Sequence, residues 1–276
     1  MKTAICHYSL NRRYTAEKWT PLRLVQEAEA LGVKGFDFHT SLLGKIEGAA
    51  ETITGVLART PLALSGLSLA SNFNRPKAEE FKAEVEKISQ WIAVAAKVKA
   101  PVSRLFGGSL SPADRTDPAA RAAAWQRMVD GVAAVTKVAQ KFGVVLALEN
   151  HGCLPCTAEE QIKVITMIDS PCLRATVDVG NYMAGGQEGH VATALAAPYA
   201  AYVHFKDNKR IPDAGAPGGW RIEPAALGEG VVDLAACVAA LRKARYTGFV
   251  ALEYEAAEDE RTAVPRSVAA MKKLLE

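Results

Sequence analysis

Residues 144–149 read Val-Val-Leu-Ala-Leu-Glu, five apolar residues followed by a carboxylate. Strict alternation would mark a strand with one wet face. An unbroken apolar run instead suits a strand covered on both faces, as in a parallel sheet. Gly143 stands just before the run, where a C′ glycine ends the helix predicted over 118–141. Pro118 is placed as an early residue of that helix, and Thr157-Ala-Glu-Glu160 reads as a capping box opening the next helix, over 157–168. The stretch is one helix–strand–helix unit whose strand ends on Glu149.

The same unit recurs along the chain. Strands are predicted at 3–8, 34–39, 62–70, 102–106, 144–149, 174–179, 200–205 and 248–254. Helical patterns lie near 19–31, 45–58, 77–98, 118–141, 157–168, 188–197, 231–244 and 259–275, and Gly32 is a further C′ glycine. Eight β/α units with no second compositional zone predict one (β/α)₈ TIM barrel domain over residues 1–276. The alternative is a doubly wound open sheet, but no Gly-x-Gly-x-x-Gly follows the first strand, and Gly107-Gly108-Ser109 is too short to count. The long connection 207–230, rich in Gly, Pro and charge, is read as an active-site loop.

Composition narrows the partners. The 276 residues are 49% hydrophobic and 23% charged, ample for one large core. The 33 basic and 30 acidic residues are spread along the chain, giving +3, so nothing points to nucleic acid. No apolar run approaches the ~18 residues that cross a bilayer. The N-terminus, MKTAICHYSLNRRY, has no signal-peptide h-region, and five scattered cysteines fit a reducing compartment, so a cytoplasmic location is expected.

In a barrel of this kind the site lies where strands end and βα loops begin. Four consecutive predicted strands end in an ionisable residue after an apolar run: Glu149, Asp178, His204 and Glu253, spaced 29, 26 and 49 residues apart. Singly, each would pass for a loop residue, a helix cap or a structural histidine. Neighbouring parallel strands are ~4.8 Å apart, so four such ends can converge on one point. Two glutamates, an aspartate and a histidine form a hard, oxygen-rich set that suits one divalent ion, Mn²⁺ first, with Mg²⁺, Co²⁺ or Zn²⁺ as alternatives.

Around these residues the pieces LALENHG, TVDVGN, YVHFKDNKR, LGEGVVD and GFVALEYE, in this order, resemble the sugar phosphate isomerase/epimerase family, the xylose-isomerase-like barrels. That group includes ketose 3-epimerases, inosose-processing enzymes and hydroxypyruvate isomerase. The resemblance spans nearly the whole chain and is specific for the superfamily rather than for a substrate. It implies that Glu149, Asp178, His204 and Glu253 hold a single divalent metal, that Glu149 and Glu253 also act as an acid/base pair, and that Arg210 contacts substrate oxygens. One position departs: the epimerases usually carry a histidine three residues after the metal aspartate, where this chain has Asn181. An amide can hydrogen-bond a hydroxyl but carries no proton near neutral pH.

These residues predict an isomerase or epimerase of a sugar, sugar phosphate or polyol, moving a proton beside a carbonyl through an enediolate whose charge a metal offsets. Lys206 and Arg210 could grip hydroxyls or a phosphate, with Asp207 orienting Lys206. Asn181, His39 and Asn72 could line the pocket wall with His7 and His151, and Trp19, Phe73, Phe106 or Trp220 could stack on a sugar. A lyase acting on a keto-sugar, inosose or 3-keto-glycoside uses the same first step, and Asn181 keeps that alternative open. Endonuclease IV-like DNA repair wants more histidines at the strand ends than SLASNF and RLFGGS offer, and a non-catalytic sugar-binding barrel would not need both glutamates. Homo-oligomer formation stays open. Cys153 and Cys156 lie beyond Glu149 without a second Cys-x-x-Cys to complete a zinc site, and are expected to be ordinary thiols near the pocket rim.

Overall fold

In the computed structural model, which describes residues 1–215 and 219–276, every predicted strand forms. The first seven are β1 (Lys2–Cys6), β2 (Gly35–His39), β3 (Ala63–Ser68), β4 (Ser103–Phe106), β5 (Leu146–Glu149), β6 (Leu173–Asp178) and β7 (Ala200–Phe205). An extra pair, β8 (Asp207–Pro212) and β9 (Trp220–Ala225), precedes the last barrel strand, β10 (Phe249–Leu252). The eight barrel strands are parallel in the order β3-β2-β1-β10-β7-β6-β5-β4. The two outer strands meet through a Leu69–Leu105 bridge and the bonds Leu67 N–H to Val102 O (3.1 Å) and Leu69 N–H to Arg104 O (2.8 Å). The sheet is a TIM barrel in a single domain.

The predicted helices pack outside it, at Pro21–Ala30, Ala49–Leu57, Ala78–Lys97, Pro118–Phe142, Ala158–Ile168, Gly189–Ala196, Leu234–Lys243 and Glu260–Leu275. Local chemistry sets their ends. Gly32 and Gly143 take the left-handed conformation (φ 71° and 67°) after their helices, and Pro118 occupies the first turn of its helix. Thr157 accepts from Glu160 N–H at 3.2 Å, while the Glu160 carboxylate reaches back to Cys156 N–H at 2.8 Å, one residue earlier than a standard capping box. Among the described residues, no helix is long and apolar enough to cross a membrane.

The connection 207–230 departs from the expected loop. It forms an antiparallel hairpin with Asp207 opposite Ala225 and Pro212 opposite Trp220. The Asp207 carboxylate accepts four backbone N–H groups, from Asn208, Gly228, Gly230 and Val232, at 2.9–3.2 Å. It therefore fastens the base of the hairpin rather than orienting Lys206.

Two apolar regions result. The large core fills the space between strands and helices, with Phe36, Phe38, Leu67, Trp91 and Phe205 among its members. A smaller cluster of Ala4, Val102, Ala147, Tyr202 and Ala251 plugs the barrel interior. Strand residues two apart share a face. Two residues beyond these five come Cys6, Arg104, Glu149, His204 and Glu253. The plug is thus the floor on which the polar residues stand.

Candidate metal centre

The four predicted ligands converge. Asp178 on β6 is paired in register with His204 on β7, Glu149 closes β5, and Glu253 follows β10 directly. All four are buried, at 0% exposure for the first three and 6% for Glu253. One candidate ligand atom from each lies within 4.8 Å of all the others. His204 Nδ1 is 3.2 Å from Glu149 Oε1 and 3.7 Å from Glu253 Oε2. Ligands of a small octahedral ion at ~2.1 Å stand ~3 Å apart, so these separations suit a shared cation.

Two further observations test that fit. Glu149 Oε1, Asp178 Oδ2, His204 Nδ1 and Glu253 Oε2 are buried and face little but one another and the Lys206 ammonium, 2.8 Å from Glu253 Oε2 and 3.6 Å from Asp178 Oδ2. Buried polar atoms are seldom left so, and four facing one point are what a metal ion would satisfy. The charges agree. With Asp178 ionised and His204 neutral, the forms that bind a metal, four buried carboxylates (Asp37, Glu149, Asp178, Glu253) face two buried cations, Arg104 and Lys206, an excess of two negative charges that a divalent ion cancels. The oxygen-rich donor set suits a hard divalent ion.

The second ring of contacts holds the ligands in place. Asp178 Oδ1 accepts from Gly180 and Asn181 N–H at 2.9 Å each, turning Oδ2 toward the centre. Asp37 Oδ2 lies 3.6 Å from His204 Nε2, the far side of the ring from Nδ1, as carboxylates commonly support a metal-bound imidazole. Arg104 Nη1 donates to Glu149 Oε2 at 2.6 Å. Lys206 Nζ lies 2.8 Å from Glu253, 2.9 Å from Glu255 and 3.6 Å from Asp178, and donates to Asn181 Oδ1 at 3.2 Å.

This arrangement separates the ionisations. Burial pushes Glu149 up, but the Arg104 charge and the His204 bond outweigh it and hold the carboxyl at about 2. Burial works the same way on Glu253, and Lys206 with His204 brings it well below the usual range. Asp178 goes the other way. Burial dominates, Glu253 and Glu149 add to it, and the carboxyl is pushed up to about 7. Burial lowers His204 and Lys206, yet the surrounding carboxylates, Glu253 foremost, raise both well above their ordinary values.

Above the centre the barrel mouth holds two cavities. One, of about 190 Å³, is lined by Glu253, Asp37, His39, Arg104, Phe106 and His151 among others. The second, of about 140 Å³, is lined by Lys206, Asn181, Cys153 and Cys156, and shares His151 and Glu255 with the first. Of the predicted substrate contacts, His39, Lys206 and Asn181 therefore face the mouth. His39 Nδ1 accepts from Ser41 N–H at 3.2 Å, and burial holds the ring at about 2, so it is neutral.

Three predicted contacts are not brought there. His7 is buried beside Asn11 and lines neither cavity. Arg210 sits on the exposed side of the hairpin, ion-paired with Glu188, and no described residue of 207–230 lines either cavity. Asn72 lines neither; its Oδ1 accepts from Asn74 N–H at 3.0 Å in a local turn. Of the four aromatics, Phe106 lines the first cavity, whereas Phe73 is buried in the core, Trp19 packs on Arg13 and Trp220 is exposed. Cys153 and Cys156 are free thiols on the wall of the second cavity, and a hydrogen bond from Cys156 holds Cys153 down at about 6, unlike an ordinary thiol. Asp37 and Arg104 are the residues the sequence reading passed over. The available signal was a lone charge inside an apolar strand, GFDFH in β2 and SRLF in β4.

Comparison with known proteins fits this geometry. Residues 25–274 match the model of the xylose isomerase-like TIM barrel family. The chain belongs to that family. No curated protein matches it by sequence. Solved structures with the same fold include the E. coli 3-keto-D-glucoside 4-epimerase YcjR, 18% identical, with 91% of this chain and 94% of that one covered and a TM-score of 0.74. A D-psicose 3-epimerase is 15% identical, with 100% and 99% covered and a TM-score of 0.73. The IolI protein, solved with a zinc atom bound, is 14% identical, with 99% and 96% covered and a TM-score of 0.78.

Proposed function

We propose that this barrel is a divalent-metal-dependent isomerase or epimerase of a sugar, moving a proton at a carbon beside a carbonyl. The observation that carries it is the set of four buried ligand atoms, all within 4.8 Å of one another, beneath a cavity that Glu253 also lines. The sugar epimerases among the structural neighbours support the substrate class. A divalent ion held by Glu149, Asp178, His204 and Glu253 would supply Lewis-acid charge to a substrate oxygen; Mn²⁺ is the first choice and Mg²⁺, Co²⁺ and Zn²⁺ are alternatives.

The two glutamates are not equivalent in this role. Glu149 has one oxygen taken by Arg104 and is absent from the cavity wall, so it serves mainly as a ligand. Glu253 reaches the cavity, and Lys206 at 2.8 Å keeps it ionised and ready to accept a C–H proton. Glu149 is the second group of the acid/base pair only if Arg104 releases it. Neutral His39, whose Nδ1 is an acceptor and whose Nε2 therefore carries the hydrogen, can donate to a substrate oxygen from the opposite wall.

One observation favours a second reading. At the position where the epimerases carry histidine, Asn181 holds Lys206 at 3.2 Å and cannot itself exchange a proton. Loss of a β-leaving group, a lyase reaction, can use Glu253 alone: it takes the C–H proton and returns it to the departing oxygen, which leaves as water or an alcohol. The test is a panel of ketoses, 3-keto-glucosides and inososes, with EDTA-treated and Mn²⁺-restored protein and the products identified by NMR. An isomeric sugar supports the isomerase, and an α,β-unsaturated ketone supports the lyase. E253Q is expected to lose at least ~10³-fold in kcat. Full activity in E253Q, or in EDTA, would overturn the mechanism.

A further inference from the structure

Arg104 is only 3% exposed, yet it lies on the wall of the cavity above the metal centre. Three contacts immobilise it. Nη1 donates to Glu149 Oε2 at 2.6 Å, and Nε donates to Ser68 Oγ at 2.9 Å. Ser68 in turn donates to Asp37 Oδ2 at 2.7 Å, the oxygen that faces His204. The guanidinium also packs against the Phe106 ring, 4.0 Å from its centroid, and Phe106 lies 4.1 Å from His151. Among the described residues, nothing accepts from the third nitrogen, Nη2.

A counter-ion for Glu149 alone would require none of this. A guanidinium presents five N–H donors in a fixed plane, and here two edges and one face are pinned while the Nη2 edge is left without a partner. A donor edge that no protein group uses, on a side chain lining a cavity, is satisfied by whatever fills that cavity. The acceptor is an uncharged oxygen. Glu149 already balances the Arg104 charge, and the nearby Lys206 is shared between Glu253 and Glu255, so neither cation is left unpaired to hold a phosphate.

We propose that Arg104 is a substrate-binding residue whose Nη2 amino group donates to a hydroxyl or carbonyl oxygen of a neutral, non-phosphorylated ketose lying between Phe106 and Glu253. The proposal rests on the sugar reading above and narrows it to uncharged substrates. It also moves the role of the oxygen-binding arginine from Arg210, which lies on the outer hairpin, to β4.

The test is calorimetric binding of D-fructose, D-psicose and D-tagatose, with D-fructose 6-phosphate as the charged comparison, to the Mn²⁺-loaded full chain. R104K keeps a cation beside Glu149 but cannot span Glu149, Ser68 and the cavity together. It is expected to bind Mn²⁺ within about threefold of wild type and to lose at least about tenfold in ketose affinity, the loss of one charge-assisted hydrogen bond. If R104K gives no cooperative melt, S68A decides the matter. That variant frees the Nε edge, and a several-fold loss of ketose affinity at unchanged Mn²⁺ affinity is expected. Ketose binding unchanged in the variant that folds would overturn the proposal. So would a loss of Mn²⁺ in step with the sugar, which would make Arg104 only a prop for Glu149, or wild-type preference for the 6-phosphate, or no ketose binding at all. Ketose binding that depends on Arg104 without interconversion would leave the proposal standing and remove the isomerase reading.

Discussion

In the proposed metal site, Asp178 is a residue at which metal and proton compete. Without an ion, burial beside Glu253 and Glu149 pushes its carboxyl up to about 7, and Oδ2 has no hydrogen-bond partner. A cation needs the ionised form, so the proton must leave on binding. Below about 7 that carboxyl is protonated, and His204, held well above its ordinary value, must also give up its proton to become a ligand. Affinity should therefore fall as pH falls across this whole range, and by more than tenfold per pH unit below 7. Mn²⁺ titrations at pH 5.5, 6.5 and 7.5, in two buffers of different ionisation enthalpy, would show the release as a buffer-dependent heat. A buffer-independent heat and a flat affinity would contradict the assignment. The same residue shows what can be read from sequence at this scale. Asp178, Glu149, His204 and Glu253 were legible because each ends an apolar run. Asp37 and Arg104 were not, because a charge in the middle of a short strand has no sequence partner to justify it until Ser68 and Glu149 are brought beside it.

At the scale of elements, the barrel strands stand out in the sequence through burial on both faces, and the helices through their caps. The β8–β9 hairpin does not. Its strands, DNKRIP and WRIEPA, mix charged residues with Pro, and only Asp207, Asn208 and Ala225 are buried, so no hydrophobic period marks them. What fixes the hairpin is Asp207, which collects backbone N–H groups from its own neighbour and from 228, 230 and 232. That long-range pattern cannot be inferred from a run of charge and glycine. Even the would-be Cβ of Gly230 comes within 2.1 Å of the Asp207 carboxylate, so only glycine lets the chain approach so closely. Asp207→Ala strands several buried donors and should cost about 2–4 kcal/mol. Hydrogen exchange should locate the loss, with faster exchange at 228–232 and little change at β5 or β6. Unchanged protection at 228–232 would show that the carboxylate is not the clamp. Because Lys206 directly precedes Asp207, the hairpin base also sets where that lysine stands against Glu253, and Arg210 is carried outward as the strand leaves the barrel.

For the whole molecule, the barrel gathers like charges at one end and must be compensated for doing so. The plug of Ala4, Val102, Ala147, Tyr202 and Ala251 closes the floor with apolar contacts, and the layer above it, with Asp178 ionised and His204 neutral, carries two uncompensated negative charges. Ligands come from β5, β6, β7 and the end of β10, whereas Arg104 and Asp37 reach the same point from β4 and β2. One ion would therefore tie most of the barrel circumference together, and only the folded chain assembles its ligands. Mass action then predicts stabilisation of about 2.7 kcal/mol when free metal is a hundredfold above its Kd. For a domain of this size that is a rise in melting temperature of roughly 5–10 °C. Scanning calorimetry in EDTA and in excess Mn²⁺ measures the difference, and D178N should remove most of it by taking away a ligand charge. If wild type melted identically in both, the four strand-end residues would be a charge cluster held by Arg104 and Lys206 alone. Without metal, protons on His204 and, below about 7, on Asp178 offset the charge that Arg104 and Lys206 leave unbalanced, so the shift should be larger at pH 7.5 than at 6.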